Sequence, residues 1–178
     1  MEGKTIGVVG AGKIGKNVTR IAKGFNMNVL AYDVYPDEVF AKQNNFMYKT
    51  LPEVLAESDI ITLHAPYTKE NYHLINKENI SLLKKGAYLI NTARGELVET
   101  EALLAKLQDG TIAGAGLDVL EGEREIKKGN DIPMIDLPNV ILTPHMAFDT
   151  KDAEGRIIQT TIDNIKAFMA GQPINLVK

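Results

Sequence analysis

The stretch that decides the fold is Val9-Gly10-Ala11-Gly12-Lys13-Ile14-Gly15, where an apolar run passes straight into a helical pattern. The preceding residues, Thr5–Val9, have the composition of a buried strand. In the pattern G-x-G-x-x-G the first glycine permits a tight turn, the second lets a diphosphate reach the backbone, and the third lets helix and strand pack closely. The helix N-terminus offers free N–H groups and a positive dipole end to phosphate. The stretch therefore predicts a dinucleotide-binding loop.

The rest of the chain alternates between two apolar patterns. Short runs rich in β-formers are almost continuously apolar, which is typical of strands covered on both faces. Helical stripes lie between these runs, and Thr50 with Glu53 forms a predicted capping box. This alternation predicts an α/β, Rossmann-type doubly wound fold, with a mainly parallel sheet and helices on both faces. The predicted strands are Thr5–Val9, Met27–Tyr32, Asp59–Leu63, Ala87–Ile90, Ile112–Asp118 and Val140–Leu142, and the first helical stripe is Ile14, Val18, Ile21, Ala22 and Phe25.

The last third of the chain contains a polar segment and a final helix. Residues 121–136 are polar and contain two glycines and a proline, which predicts a long irregular connection of the kind that often carries function. A helix is predicted over about residues 150–170, ended by Gly171 and Pro173. We expect residues 1–149 to form a dinucleotide-binding domain and residues 150–178 a C-terminal helix and tail.

Composition excludes several classes of protein. The 178 residues contain no cysteine, which rules out a disulfide framework, a cysteine-built zinc site and a thiol nucleophile, and which suits a reducing compartment. No apolar run approaches the roughly 18–20 residues that span a bilayer. A net charge of -3 gives no reason to expect a nucleic acid or an anionic membrane as partner. We expect a cytoplasmic globular protein without a metal site, a nucleic-acid partner or a membrane.

An acidic residue, Asp33, ends the second predicted strand, 18 positions after Gly15. A carboxylate there can accept hydrogen bonds from both ribose hydroxyls and repels a 2′-phosphate, so NAD is favoured over NADP. Asp33 could instead simply end a strand before a Tyr-Pro turn. S-adenosylmethionine on a similar sheet is a second alternative, but methyltransferases do not need the third glycine at this spacing.

Three further polar residues follow later strands, at the edge where open α/β sheets bind ligands: Arg94, Glu123 and His145. Taken singly, each has an ordinary explanation as a solvated side chain or a helix cap. Together they suit reduction of a 2-keto acid, because arginine can hold a carboxylate with two parallel N–H bonds. Hydride passes from a nicotinamide to the carbonyl carbon, and the histidine supplies a proton while a nearby glutamate raises its pKa.

The ordered motifs resemble the coenzyme-binding domain of the D-2-hydroxyacid dehydrogenase family, and its D-lactate dehydrogenase branch in particular. Besides the glycine loop they are His64-Ala65-Pro66, Asn91-Thr92-Ala93-Arg94-Gly95, Gly116-Leu117-Asp118-Val119 and Pro144-His145. The resemblance implies a substrate-binding Arg94, a pKa-raising Glu123, with Glu121 as a near competitor, and an acid/base His145. It implies cofactor contacts from Gly10, Gly12, Lys13, Ile14, Gly15, Asp33, Ala65, Pro66, Asn71, the backbone of Thr92 and Ala93, and Asp118.

The resemblance also carries expectations about the two other histidines and about the whole protein. His64 is expected to be structural or cofactor-side, and His73 to lie on ordinary surface. Family members carry a second, substrate domain, so we expect an isolated NAD-binding domain with little activity alone, whose final helix belongs beside that missing substrate domain. The source protein would be an NAD-dependent dehydrogenase of a small 2-keto or 2-hydroxy acid, such as pyruvate or lactate, and a homodimer. The alternative is an NADH-sensing, non-enzymatic corepressor or scaffold of the same fold.

Overall fold

The computed structural model describes residues 1–123, 132 and 134–176. Most of the predicted irregular connection, residues 124–131 and 133, therefore lies outside the described residues. The chain divides into two compact units, Met1–His145 and Met146–Lys178. The functional boundary expected after residue 149 stays a prediction.

The first unit is built on a parallel sheet which, within the described residues, has seven strands in the order β3-β2-β1-β4-β5-β6-β7. All described pairings are parallel, which confirms the predicted doubly wound sheet. The chain starts in the middle, so the strand order reverses between β1 and β4, where such sheets bind ligands. The strands are β1 (Thr5–Val9), β2 (Asn28–Tyr32), β3 (Met47–Tyr48), β4 (Ile60–Leu63), β5 (Ala87–Asn91), β6 (Ile112–Leu117) and β7 (Val140–Leu142).

Helices cover the sheet on two faces, because successive strand residues point to opposite sides. On one face Ile6 and Val8 pack with Phe40, and on the other Val9 packs in a larger cluster with Leu55 and Leu103. The helices of the first unit are α1 (Lys13–Gly24), α2 (Glu38–Gln43), α3 (Leu51–Glu57) and α4 (Thr100–Gln108), and the second unit contains α5 (Lys151–Met169). The capping box predicted for α3 is present, since Thr50 N–H donates to the Glu53 carboxylate at 2.9 Å.

Helix α1 forms where its apolar stripe predicts it, but only Val18 and Ala22 of the stripe face the core. Ile14, Ile21 and Phe25 are about 60% exposed (65, 60 and 58%). The buried residues of the helix are Gly15, Thr19 and Ala22, whose small size lets it lie close to the sheet. The two elements that the sequence pattern missed, α2 and β3, are only six and two residues long.

In the second unit, α5 begins after Thr150, whose hydroxyl accepts a hydrogen bond from the Ala153 N–H at 3.2 Å. None of its residues is buried, and its apolar side, including Ile158 and Phe168, is exposed. Among the described residues, no helix is both long and apolar enough to cross a bilayer.

Candidate functional site

The loops that carry the predicted site residues all leave the sheet at one edge. The last strand residues are in register across the sheet, so each following loop begins at the same level. Val9 is aligned with both Tyr32 and Leu63, and the row continues from Leu63 through Asn91 and Leu117 to Leu142. The glycine loop and the segments that begin at Asp33, His64, Thr92, Asp118 and Thr143 follow directly after this row.

The glycine loop after β1 has two positions where only glycine fits and one that is open. Gly10 has φ +93°, and a Cβ placed there would lie 2.4 Å from the backbone nitrogen of Ala65. A Cβ on Gly15 would lie 2.1 Å from the carbonyl oxygen of Gly10, so this glycine lets α1 start against the loop. Within the described residues, a Cβ on Gly12 would meet no protein atom within 4 Å. The space in front of Gly12 and of the first turn of α1 is therefore open to a ligand.

The first turn of α1 suits an anion. Gly12 is the N-cap, no side chain caps the helix, and the first turn holds no acidic residue. The helix N–H groups are thus available to a phosphate, and the dipole favours negative charge there. Lys13 and Ile14 lie exposed at the same helix start.

Asp33 is placed to receive a hydroxylated ligand beside that loop. One carboxylate oxygen accepts the Ala11 N–H at 2.6 Å and the other accepts the Tyr35 N–H at 2.8 Å. A carboxylate offers about four acceptor positions, so these two bonds fix its orientation and leave capacity for hydroxyl donors. The open glycine turn and the oriented carboxylate together fit a dinucleotide whose ribose carries free hydroxyls.

The loop after β5 is organised by Asn91, which the motif contains but to which no role had been given. Its side chain is 1% exposed, donates to the Arg94 carbonyl at 2.8 Å and accepts the Ala93 N–H at 3.0 Å. The exposed Arg94 guanidinium donates to the Ala93 carbonyl at 2.6 Å. The sequence signal was an asparagine at the end of an apolar strand. A polar side chain buried there is almost always hydrogen-bonded, so Asn91 could have been expected to organise the loop.

The next two loops meet in a glutamate–histidine pair. The Glu123 Oε1 lies 2.6 Å from Nδ1 of His145, and the Leu120 N–H donates to the other carboxylate oxygen at 3.3 Å. His145 has φ +52°, a conformation uncommon for a residue with a side chain. Close by, the Thr143 hydroxyl donates to Asp118, which is 5% exposed.

A cavity of about 670 Å³ opens beside this pair. Its volume is within the roughly 300–1,000 Å³ typical of small-molecule sites. The polar part of the lining is Asp118, Glu123, Thr143 and His145, and the apolar part includes Leu120, Ile135, Val140 and Leu142. The carboxylate and imidazole therefore border a pocket with a largely apolar wall.

A second glutamate–histidine pair lies next to the first and was not expected. Glu121 Oε1 lies 2.6 Å from Nε2 of His73 and accepts the Tyr72 hydroxyl at 2.8 Å, while its other oxygen accepts the Thr100 hydroxyl at 2.9 Å. Burial works to raise the pKa of Glu121, but hydrogen bonds from His73, Tyr72 and Thr100 outweigh it and lower that pKa. The expectation that His73 lies on ordinary surface is wrong, because its ring pairs with Glu121 and stacks on Tyr72 with centroids 3.8 Å apart.

The remaining predicted residues lie in the loop after β4 and directly after β5. His64 is half-buried, hydrogen-bonded to the Thr62 hydroxyl at 2.9 Å, and burial lowers its pKa. Asn71 donates to the Pro66 carbonyl at 2.8 Å, which closes the loop that also holds Ala65. Thr92 is exposed directly after β5. The structure thus joins Glu123 with His145 directly and puts Arg94 on the neighbouring loop.

Comparison with known proteins gives a consistent family picture. Residues 1–147 match the family model described as D-isomer specific 2-hydroxyacid dehydrogenase, NAD binding domain. A glycerate dehydrogenase of Methylorubrum extorquens is 43% identical over 99% of this chain and 53% of its own length. The D-lactate dehydrogenase of Escherichia coli is 41% identical over 97% of this chain and 55% of its own length.

A solved structure agrees with the sequence matches. The D-lactate dehydrogenase of Aquifex aeolicus, in complex with NAD and lactic acid, superimposes with a TM-score of 0.87 at 44% identity, covering 95% of this chain and 54% of that one. The chain spans about half the length of the curated relatives that it matches.

Proposed function

This chain belongs to the D-isomer specific 2-hydroxyacid dehydrogenase family, as its NAD-binding domain, and from that membership we propose that it serves a protein that interconverts a small D-2-hydroxy acid and its 2-keto acid. Because the chain corresponds to about half of its relatives, we propose that turnover needs a substrate domain that this chain does not contain. We further propose that the assembled enzyme is a homodimer.

The proposed cofactor contacts follow from the geometry of the glycine loop. The N–H groups at the start of α1 would hold the diphosphate in the open space before Gly12, and Asp33 would accept the ribose hydroxyls. Ala65, Pro66 and Asn71 from the loop after β4, and the backbone of Thr92 and Ala93, would line the rest of the dinucleotide. Asp118, next to the cavity, would face the carboxamide.

NAD, when bound, supplies or accepts the hydride. The Arg94 guanidinium would hold the carboxylate of the 2-keto acid, which turns the substrate's carbonyl in a fixed direction. His145 would donate a proton to the carbonyl oxygen during reduction and take it back during oxidation. Glu123 fixes which imidazole nitrogen does so, because an ionised carboxylate accepts only and therefore holds the hydrogen on Nδ1. Nε2 is then the nitrogen that exchanges the proton.

The observation that carries this proposal is the Glu123–His145 pair, which lines a cavity of about 670 Å³ on the sheet edge that also presents the glycine loop. His145 supports it further by its positive φ, since strained backbone conformations cluster at functional sites. The substrate class rests on Arg94, whose planar guanidinium matches a carboxylate. D-lactate dehydrogenases among the relatives favour a lactate-like acid.

The first test is a fluorescence titration of this chain with NADH. We expect saturable binding by the wild type and strong weakening by Asp33→Arg, which removes the acceptor and adds a cation, with Glu57→Gln on α3 as a control for loss of a distant carboxylate. Equal affinity of Asp33→Arg and wild type would contradict the cofactor assignment.

The second test uses the complete source protein and a screen of small 2-keto acids with NADH. Arg94→Ala and His145→Ala should each abolish most of the turnover. Turnover that survives both substitutions would show that the reacting groups lie elsewhere. NADH-dependent dimerisation on gel filtration, without reduction of any keto acid, would favour the corepressor alternative.

A further inference from the structure

Glu121 is a densely hydrogen-bonded carboxylate on the ligand edge of the sheet. One of its oxygens accepts from the Tyr72 hydroxyl and from His73 Nε2, and the other accepts from the Thr100 hydroxyl at 2.9 Å and the Thr100 N–H at 3.3 Å. Four donors thus meet the roughly four acceptor positions of a carboxylate. The proposed reaction assigns no role to Glu121 or to the residues that donate to it.

The four donors come from different parts of the chain. Tyr72 and His73 belong to the loop after β4, which would touch the cofactor, and Thr100 begins α4. The His73 N–H also donates to the Glu96 carbonyl at 2.9 Å, so the loop after β4 is joined to the loop that carries Arg94. Glu121 itself belongs to the segment after β6. Its carboxylate therefore connects the three loops that follow β4, β5 and β6.

The segment that Glu121 anchors is a tight turn over residues 120–123. The Glu123 N–H donates to the Leu120 carbonyl at 3.2 Å, and the Leu120 N–H donates back to the Glu123 carboxylate at 3.3 Å. Gly122, with φ +67°, separates the two glutamates, so that one faces His73 and the other faces His145. A shift of the Glu121 side chain would therefore move the turn on which Glu123 is mounted.

Gly95, next to Arg94 in the loop after β5, lets that loop lie close against the 120–123 turn. A Cβ placed there would lie 2.0 Å from the Leu120 carbonyl carbon and 2.3 Å from the Glu121 nitrogen. Two contacts thus hold the turn: the backbone at Gly95 lies against it, and the Glu121 carboxylate bonds to residues of other loops.

We propose that Glu121 is a positioning residue, which holds the 120–123 turn so that Glu123 faces Nδ1 of His145. This inference rests on the proposed function, because it gives Glu121 the role of positioning Glu123 beside His145. A carboxylate is required, since glutamine would place its own N–H₂ donors against the donors of Tyr72, His73 or Thr100. Aspartate is one methylene shorter and cannot reach both sets of donors from the same backbone position.

Nitrogen NMR of the histidine side chains tests the proposal in this chain without any turnover. The chain has three histidines, so their ring signals can be assigned by single substitutions. In the wild type we expect His145 to carry its neutral-form hydrogen on Nδ1. Glu121→Gln should convert this single tautomer into a mixture, as Glu123→Gln should directly, whereas the control Glu57→Gln should leave it unchanged.

Internal reporters separate positioning from general damage. His64, hydrogen-bonded to Thr62, should keep its signals in Glu121→Gln, because a loss of fold would change both histidines. If Glu121→Gln does not fold, Thr100→Val removes one hydroxyl donor only and should cause a smaller change of the same kind.

The outcomes distinguish this inference from the proposed function. If Glu123→Gln alters the His145 tautomer but Glu121→Gln and Thr100→Val do not, the positioning role is wrong and the acid/base pair stands. If Glu123→Gln also leaves His145 unchanged, the pair itself is absent in solution and the proposed function loses its main support.

Discussion

Glu123 lies with its carboxylate 2.6 Å from Nδ1 of His145, although 22 residues separate them and they follow different strands. The contact exists because β6 and β7 are parallel neighbours, with Leu117 in register with Leu142, so that the loops after both strands start side by side. When neutral, an imidazole held through Nδ1 has one defined tautomer, which leaves Nε2 as the nitrogen that exchanges a proton.

The pair should control turnover but not cofactor binding. In the complete protein, Glu123→Gln or His145→Gln should lower kcat by about 10²–10⁴-fold, the usual contribution of general acid–base catalysis. NADH affinity of this chain should stay at the wild-type value, since neither side chain belongs to the proposed diphosphate or ribose contacts. Steady-state kinetics and NADH titration measure the two effects. Loss of NADH binding with unchanged kcat would reverse the proposed roles.

Gly12→Ala should separate folding from ligand binding. The added Cβ meets no atom of the described part of the chain within 4 Å, so the midpoint of thermal unfolding should change little. The same methyl group would occupy the space proposed for the diphosphate, and NADH affinity should fall at least about tenfold, equivalent to about 1.4 kcal/mol. Gly24→Ala at the other end of α1, also with no atom within 4 Å of the new Cβ, is the matched control. Unaltered NADH binding by Gly12→Ala would contradict the proposal that the diphosphate binds at this loop.

Gly95→Ala should destabilise the fold. Its Cβ would overlap the Leu120 backbone at 2.0 Å, and backbone cannot move aside as a flexible side chain can. Overpacking of this kind costs about 1–3 kcal/mol in the free energy of unfolding. Urea unfolding of this chain, with Gly24→Ala as the control, measures it. A wild-type unfolding midpoint for Gly95→Ala would mean that the two loops are further apart in solution.

His64 should make stability depend on pH. Burial lowers its pKa in the folded chain, so the unfolded chain binds a proton more readily. The stability that neutral His64 contributes is therefore present above its unfolded pKa of about 6.5 and is lost as the pH falls toward the folded value. Urea unfolding at pH 8 and pH 5 should show a smaller pH difference for His64→Gln than for the wild type. An equal pH difference in unfolding for both proteins would mean that His64 is exposed to solvent in the folded chain.

The family resemblance predicted which glutamate lies beside His145, which no local pattern could do. Glu121 and Glu123 illustrate the limit, because both are acidic and only two positions apart. The resemblance preferred Glu123 as the partner of His145, and the structure pairs those two and gives Glu121 to His73. The positive φ of Gly122 separates them, and no composition or spacing rule indicates which way each side chain turns.

By itself the sequence determined six strands to within one residue of their observed ends, the glycine turn before α1, and the acid that follows β2. These are local properties, because hydrophobic period, turn chemistry and capping act over a few residues. The exposure of Ile21 and Phe25, the closeness of Gly95 to Leu120, and the His73–Glu121 contact were decided only by the tertiary structure. They depend on which segments meet, and parallel strands far apart in the chain bring their loops together only when the sheet has formed.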